Sequence, residues 1–132
     1  MMQGTKLRLR ASLLKWICIA YSLGITVLLL FPATAAPKID LPSFDKIGHL
    51  MVFTLLVILW GLFLYTKRAI SKFKIYKVLV GAFIYGIVIE ALQGLFIASR
   101  TADGWDLLAN SIGILLGGII FNQIKKVFVL KS

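Results

Sequence analysis

Three pairs of side chains stand at spacings that suit chemistry. Asp45 and His49 are four residues apart, Glu90 and Gln93 three, and Asp106 and Asn110 four. Residues three or four apart on a helix are surface neighbours, so each pair shares one face. Carboxylates beside an imidazole are the groups of general acid–base catalysis, which passes a proton through a positioned side chain. Carboxamides beside them can orient the head of a bound molecule. Glu90 and His49 are the candidate catalytic bases. Asp45, Lys46, Gln93, Arg100, Asp103, Asp106 and Asn110 are the candidate binding residues, with Arg100, Thr101 and Asp103 at the rim. His49 is the only histidine; it, Lys46 or Arg100 could neutralise Glu90. Two plainer readings stand beside these. The cluster could be a polar clamp that sets helix register without chemistry. Asp103 could simply cap a helix that carries Asp106 in its first turn.

Histidine and carboxylates also bind metals, but these spacings match no recognised ligand pattern, so no metal and no other cofactor is expected. The single cysteine, Cys18, excludes an internal disulfide and any multi-cysteine metal site. It lies in an apolar run, where a reactive thiolate is disfavoured. The chain has no Walker loop, GxSxG elbow, HExxH or dinucleotide-binding glycine pattern.

The elements that hold these residues are apolar. Of 132 residues, 60% are hydrophobic and 15% charged, and the mean hydropathy is +0.94. Such a composition excludes an ordinary soluble domain and a disordered chain. A membrane-spanning helix needs about 20 mainly apolar residues. Residues 13–31, 48–65, 78–97 and 105–124 meet that need. Lipid offers no hydrogen bonds to a backbone, so these spans must be helices. The expected fold is all-α: an integral membrane four-helix bundle, one domain over residues 1–132. A second helix starting near Asp45 would put that residue and His49 in its first two turns. Pro42 and Ser43, just upstream, suit such a start.

The formal net charge of +10 reflects 15 basic against 5 acidic residues. Eleven of the fifteen lie before the first span, between the second and third, or after the fourth, and a twelfth, Lys15, stands at the starting edge of the first. Positive charge stays on the cytoplasmic side, so both termini and the middle loop are expected there. That makes the charge topogenic and excludes nucleic-acid binding. Asp40, Asp45, Asp103 and Asp106 then fall on the outer side. Glu90 lies roughly 10 Å inside it, at 1.5 Å per helical residue. Trp16 and Tyr65 suit the inner interface, and Trp105 the outer one. Residues 33–35, Ala-Thr-Ala, resemble a signal-peptide cleavage site. The apolar run before them is longer than the usual 7–15 residues of a signal peptide, so retention of the first span is expected. Cleavage would leave three spans and the same outer polar face.

Charged groups within lipid cost roughly 2.5–3.5 kcal/mol at a helix centre, so they should turn inward toward one another or toward water. The expectation is an outward-opening polar pocket lined by Asp45, His49, Glu90, Gln93, Asp106 and Asn110. Gly113 and Gly117 form a GxxxG stripe, which Ala109 extends, and Gly86 extends the face of Glu90 and Gln93. Small residues let membrane helices approach closely, and packing within one bundle is the expected use.

These residues also resemble a family. Asp45-Lys46-Ile47-Gly48-His49 before an apolar helix is similar to the Asp-Lys-x-x-His element of the VanZ-like family. Glu90-x-x-Gln93, Arg100, Asp103 or Asp106, and Asn110-x-x-Gly113-x-x-x-Gly117 follow in that family's order over nearly the whole chain. The Asp-x-x-x-Asn element fits Asp106 and Asn110. The resemblance implies a small helical membrane protein of the bacterial cytoplasmic membrane. The family's namesake is associated with low-level resistance to the glycopeptide teicoplanin, and the family has no settled biochemical activity. Membrane lipids are the expected partners. A lipid-linked wall intermediate or lipophilic glycopeptide is a candidate ligand. The alternatives are a small transporter or channel subunit, or a structural partner of another envelope protein.

Overall fold

The computed structural model of the protein describes residues 2–31, 44–66, 75–97 and 104–131. It contains four helices: α1 (Met2–Leu30), α2 (Phe44–Thr66), α3 (Tyr76–Phe96) and α4 (Gly104–Lys131). Each is long and apolar enough to cross a membrane. No strand occurs among the described residues. The expected all-α four-span architecture is therefore present, and the chain is a multi-pass membrane protein.

The helices extend beyond the apolar windows where flanking residues favour it. Helix α1 carries Lys6, Arg8 and Arg10, which lie ahead of the expected span. Helix α4 runs on through Lys125 and Lys126. Helix α2 starts at Phe44, so Asp45 does sit in its first turn. There, as for Asp106 in the first turn of α4, the carboxylate meets the positive end of the helix dipole. Pro42, Ser43, residues 33–35, Arg100, Thr101 and Asp103 lie outside the described residues.

Side-chain contacts fix the direction of each helix. Gln93 near the end of α3 donates to the carbonyl of Leu29 at the end of α1. His49 near the start of α2 bonds Asn110 near the start of α4. His49 also approaches Glu90 of α3. The ends of α1 and α3 and the starts of α2 and α4 thus share one pole of the bundle, called here the polar end. At the other pole Tyr65 packs edge-on against Phe121. The helices alternate up and down. Helix α2 is central: it packs most extensively on α4, and also on α1 and α3, while α1 and α4 are not neighbours among the described residues.

The α2–α4 contact depends on glycine. A Cβ on Gly113 would collide with the Leu50 carbonyl oxygen, and one on Gly117 would lie 2.7 Å from that of Thr54. Both approaches are far inside van der Waals contact, so the GxxxG stripe packs α4 against the backbone of α2, as expected. Thr54 ties the two further: its hydroxyl lies 2.7 Å from the Leu50 carbonyl and 3.0 Å from that of Gly113. Phe53, Leu56, Val57, Ile89 and Ile114 fill the core. Large apolar side chains such as Leu23, Val27, Met51, Val80, Ile84 and Leu115 face outward on all four helices. An apolar surface of that extent requires lipid around it.

Candidate polar site at one end of the bundle

The polar end gathers side chains from α2, α3 and α4. His49 and Asn110 are essentially inaccessible, at 1% and 0% exposure. The His49 Nδ1 lies 2.9 Å from the Asn110 Oδ1. An Nδ1–H donating to that oxygen leaves the lone pair on Nε2, so the carboxamide selects the ring tautomer. Glu90, also buried, places Oε1 3.8 Å from the same Nδ1. A carboxylate and an amide oxygen therefore both face one side of the ring. The opposite nitrogen, Nε2, is 3.9 Å from Asp45 Oδ1, beyond hydrogen-bond range. Nε2 and the Asn110 Nδ2 are buried and have no hydrogen-bond partner among the described residues.

A second cluster lies beside the first. Asp106 is 7% exposed, and its Oδ1 is 3.5 Å from the Lys46 Nζ. Among the cations offered by the sequence as partners for Glu90, Lys46 thus lies against Asp106, and His49 faces Glu90. Asp45 is the exposed member, with over half of its side chain accessible. Its oxygen, the His49 ring nitrogen and an Asp106 oxygen all lie within 4.8 Å of one another. No linear spacing announces this trio, because Asp106 is brought to Asp45 and His49 by the α2–α4 packing.

The helix frame explains the convergence. Gly86 on α3 faces Phe53 and Asn110: a Cβ there would lie 3.3 Å from the Phe53 ring and 3.4 Å from the Asn110 Nδ2. This small residue lets α3 approach the α2–α4 pair closely enough for Glu90 to reach His49. Gln93 departs from the cluster. It is buried, but its amide donates to the Leu29 carbonyl, so it joins α3 to α1 and satisfies a carbonyl in the last turn of α1.

A second polar group was not picked out by the spacing of residue types. Tyr21 donates to the Val52 carbonyl at 2.8 Å. Trp60 Nε1 donates to Ser22 Oγ at 3.1 Å. Tyr85 donates to the Ser22 carbonyl at 3.1 Å and lies 2.5 Å from the Thr26 hydroxyl. These bonds join α1 to α2 and α3. The signal for them is Tyr21, with Ser22 and Thr26 four residues apart, in the apolar second half of α1. Beside them, toward the other pole, is a cavity of about 510 Å³ lined chiefly by Leu56, Trp60, Leu64, Val78 and Ala82, with Lys77 among its walls. Cys18 is buried, and Trp16 and Trp105 both point away from the bundle.

No curated protein and no solved structure shows significant similarity to the chain. The sequence model of the VanZ/LLP1 family matches residues 12–128, which takes in α2 and α3, the greater part of α1 and α4, and every residue of the polar cluster. The chain belongs to the VanZ/LLP1 family.

Proposed function

We propose that the polar end faces the outer leaflet of a bacterial cytoplasmic membrane and binds the head of a lipophilic ligand. The ligand classes are an envelope lipid, a lipid-linked cell-wall intermediate and a lipophilic glycopeptide. The orientation rests on the twelve of fifteen basic residues assigned to the opposite side. One observation carries the reading: His49, Glu90 and Asn110, from three different helices, are all buried and meet. Polar groups of this kind are expensive within a membrane and mark sites of function.

The arrangement supports both binding and proton transfer. Asn110 and Glu90 hold one side of the imidazole, and Nε2 faces the Asp45 side with its lone pair available. A ligand hydroxyl or amine reaching Nε2 would gain a hydrogen bond, and His49 could take its proton. Glu90 would then stabilise the resulting imidazolium. A transporter would need a polar route through the other half, where the cavity walls are mainly apolar. By membership in the family, reduced susceptibility to a teicoplanin-type glycopeptide is one phenotype to test.

The experiment is genetic. Glu90→Gln and His49→Ala are expected to abolish any glycopeptide or envelope-stress phenotype conferred by the chain, at unchanged membrane levels. Full retention of the phenotype by both variants would overturn the site reading.

A further inference from the structure

The Asp45 side of His49 has a composition that protons and hydrogen bonds do not account for. Nε2 is buried and lacks a hydrogen-bond partner among the described residues. Leaving such an atom unsatisfied is unfavourable. It sits with oxygens of Asp45 and Asp106, all three atoms within 4.8 Å of one another. Three carboxylates, Asp45, Glu90 and Asp106, adjoin the ring, and the Lys46 ammonium lies against Asp106.

We infer that Asp45, His49 and Asp106 form a site for a divalent transition-metal ion of the zinc class. One imidazole nitrogen and two carboxylate oxygens suit zinc, manganese or ferrous iron, and the imidazole argues against calcium or magnesium. Three protein ligands leave positions open for water or a ligand oxygen. The Nδ1–H bond to Asn110 is the outer contact that orients a metal-binding histidine through its second nitrogen. Glu90 lies on that same side, behind the ring.

The present spacing is wider than a loaded site requires. Ligands held at about 2.0–2.2 Å from one ion lie at most about 4.4 Å apart. Closure falls to Asp45, whose side chain is largely exposed at the start of α2, and to small rotations of Asp106. Lys46 is the competitor. Its ammonium lies 3.5 Å from Asp106 Oδ1, and 38% of its side chain is exposed, so it has room to swing away as the ion enters. The ion takes the lone pair on Nε2, and His49 therefore cannot serve as a base while the site is loaded. The inference needs no lipid ligand, and a loaded site excludes the proton transfer at Nε2 described above.

The test uses the full chain in lipid nanodiscs, with a purification tag free of histidine. Zinc binding is measured against a competing chelator, and cobalt is titrated to read its visible absorption bands. One ion per chain is expected, with cobalt bands of a nitrogen–oxygen site. His49→Ala should abolish both signals, and Asp45→Asn, at an exposed position, should weaken binding without affecting the fold. Asn110→Ala should weaken it by about 10–100-fold, the usual effect of losing a contact to a ligating histidine. Lys46→Gln should tighten it, which a purely structural role for these residues does not predict. Folded protein that binds neither ion at micromolar concentrations would overturn the site. So would binding indifferent to Asp45→Asn and Lys46→Gln. Retained metal binding with no drug or envelope phenotype would separate this site from the proposed function.

Discussion

Helices α1 and α4 both flank α2, and they are attached in different ways. Helix α4 meets α2 backbone to backbone, through Gly113 against Leu50 and Gly117 against Thr54. Helix α1 is held by hydroxyl and indole hydrogen bonds from Tyr21, Ser22, Thr26 and their partners Trp60 and Tyr85. A cavity of about 510 Å³ remains beside that attachment. The difference matches the placement of chemistry. Side chains that must hold a distance of a few ångströms, His49 to Asn110 above all, sit on the glycine-packed pair. Interiors that interdigitate this closely shift little, because contact on every side opposes displacement. Helix α1 contributes no side chain to the polar cluster among the described residues, and looser seating there leaves the site intact.

The comparison can be broken most forcefully at Gly113. Gly113→Leu would drive a side chain into the Leu50 carbonyl and separate α2 from α4, with a loss of folded protein larger than the 1–3 kcal/mol of ordinary overpacking, about 4 kcal/mol or more. Gly81→Leu, at a position with open space around it, should leave folded yield unchanged. Thermal unfolding in detergent compares the two, and equal stability would contradict the glycine-packed frame. Asn110→Ala is the intermediate case. It leaves the buried Nδ1 of His49 without its acceptor, and should destabilise the protein by about 1–3 kcal/mol while preserving the helix content seen by circular dichroism. The smallest effect belongs to α1. Tyr85→Phe removes a hydroxyl that bonds the Ser22 carbonyl and should cost about 1 kcal/mol. Its hydrogen-exchange signature should be confined to α1 and its contacts, with the amides around Asn110 unchanged. Increased exchange spread equally over α4 would erase the distinction between the two attachments.

Much of this organisation was legible in the sequence. The four spans follow from apolar length, since lipid leaves a backbone no alternative to the helix. The pairs Asp45–His49 and Asp106–Asn110 follow from helical periodicity, and Gly113–Gly117 from the demand for close approach. Periodicity assigns a residue to a face but leaves open which face meets which helix. Gln93 therefore shares a helical face with Glu90 and yet serves the α1 contact, at the Leu29 carbonyl. Lys46, offered as a partner for Glu90, lies against Asp106, because the α2–α4 packing brings that carboxylate within 3.5 Å. Asp45, His49 and Asp106 were expected in one pocket, but their approach to within 4.8 Å of one another comes from tertiary packing, which no spacing announces. Hydroxyls of α1 give no comparable signal, because serine, threonine and tyrosine in a spanning helix commonly bond a backbone carbonyl and carry no pattern of their own.

The account turns on buried polar groups of α2, α3 and α4 meeting inside the bundle, and the lone histidine makes that measurable without ambiguity. Solid-state nuclear magnetic resonance in lipid bilayers, with labelled histidine and asparagine, reads the dipolar coupling between His49 Nδ1 and the side-chain carbonyl carbon of Asn110. A strong coupling, lost in Asn110→Ala, is the predicted result. No coupling, together with close contacts between the His49 ring and lipid acyl chains, would contradict the account.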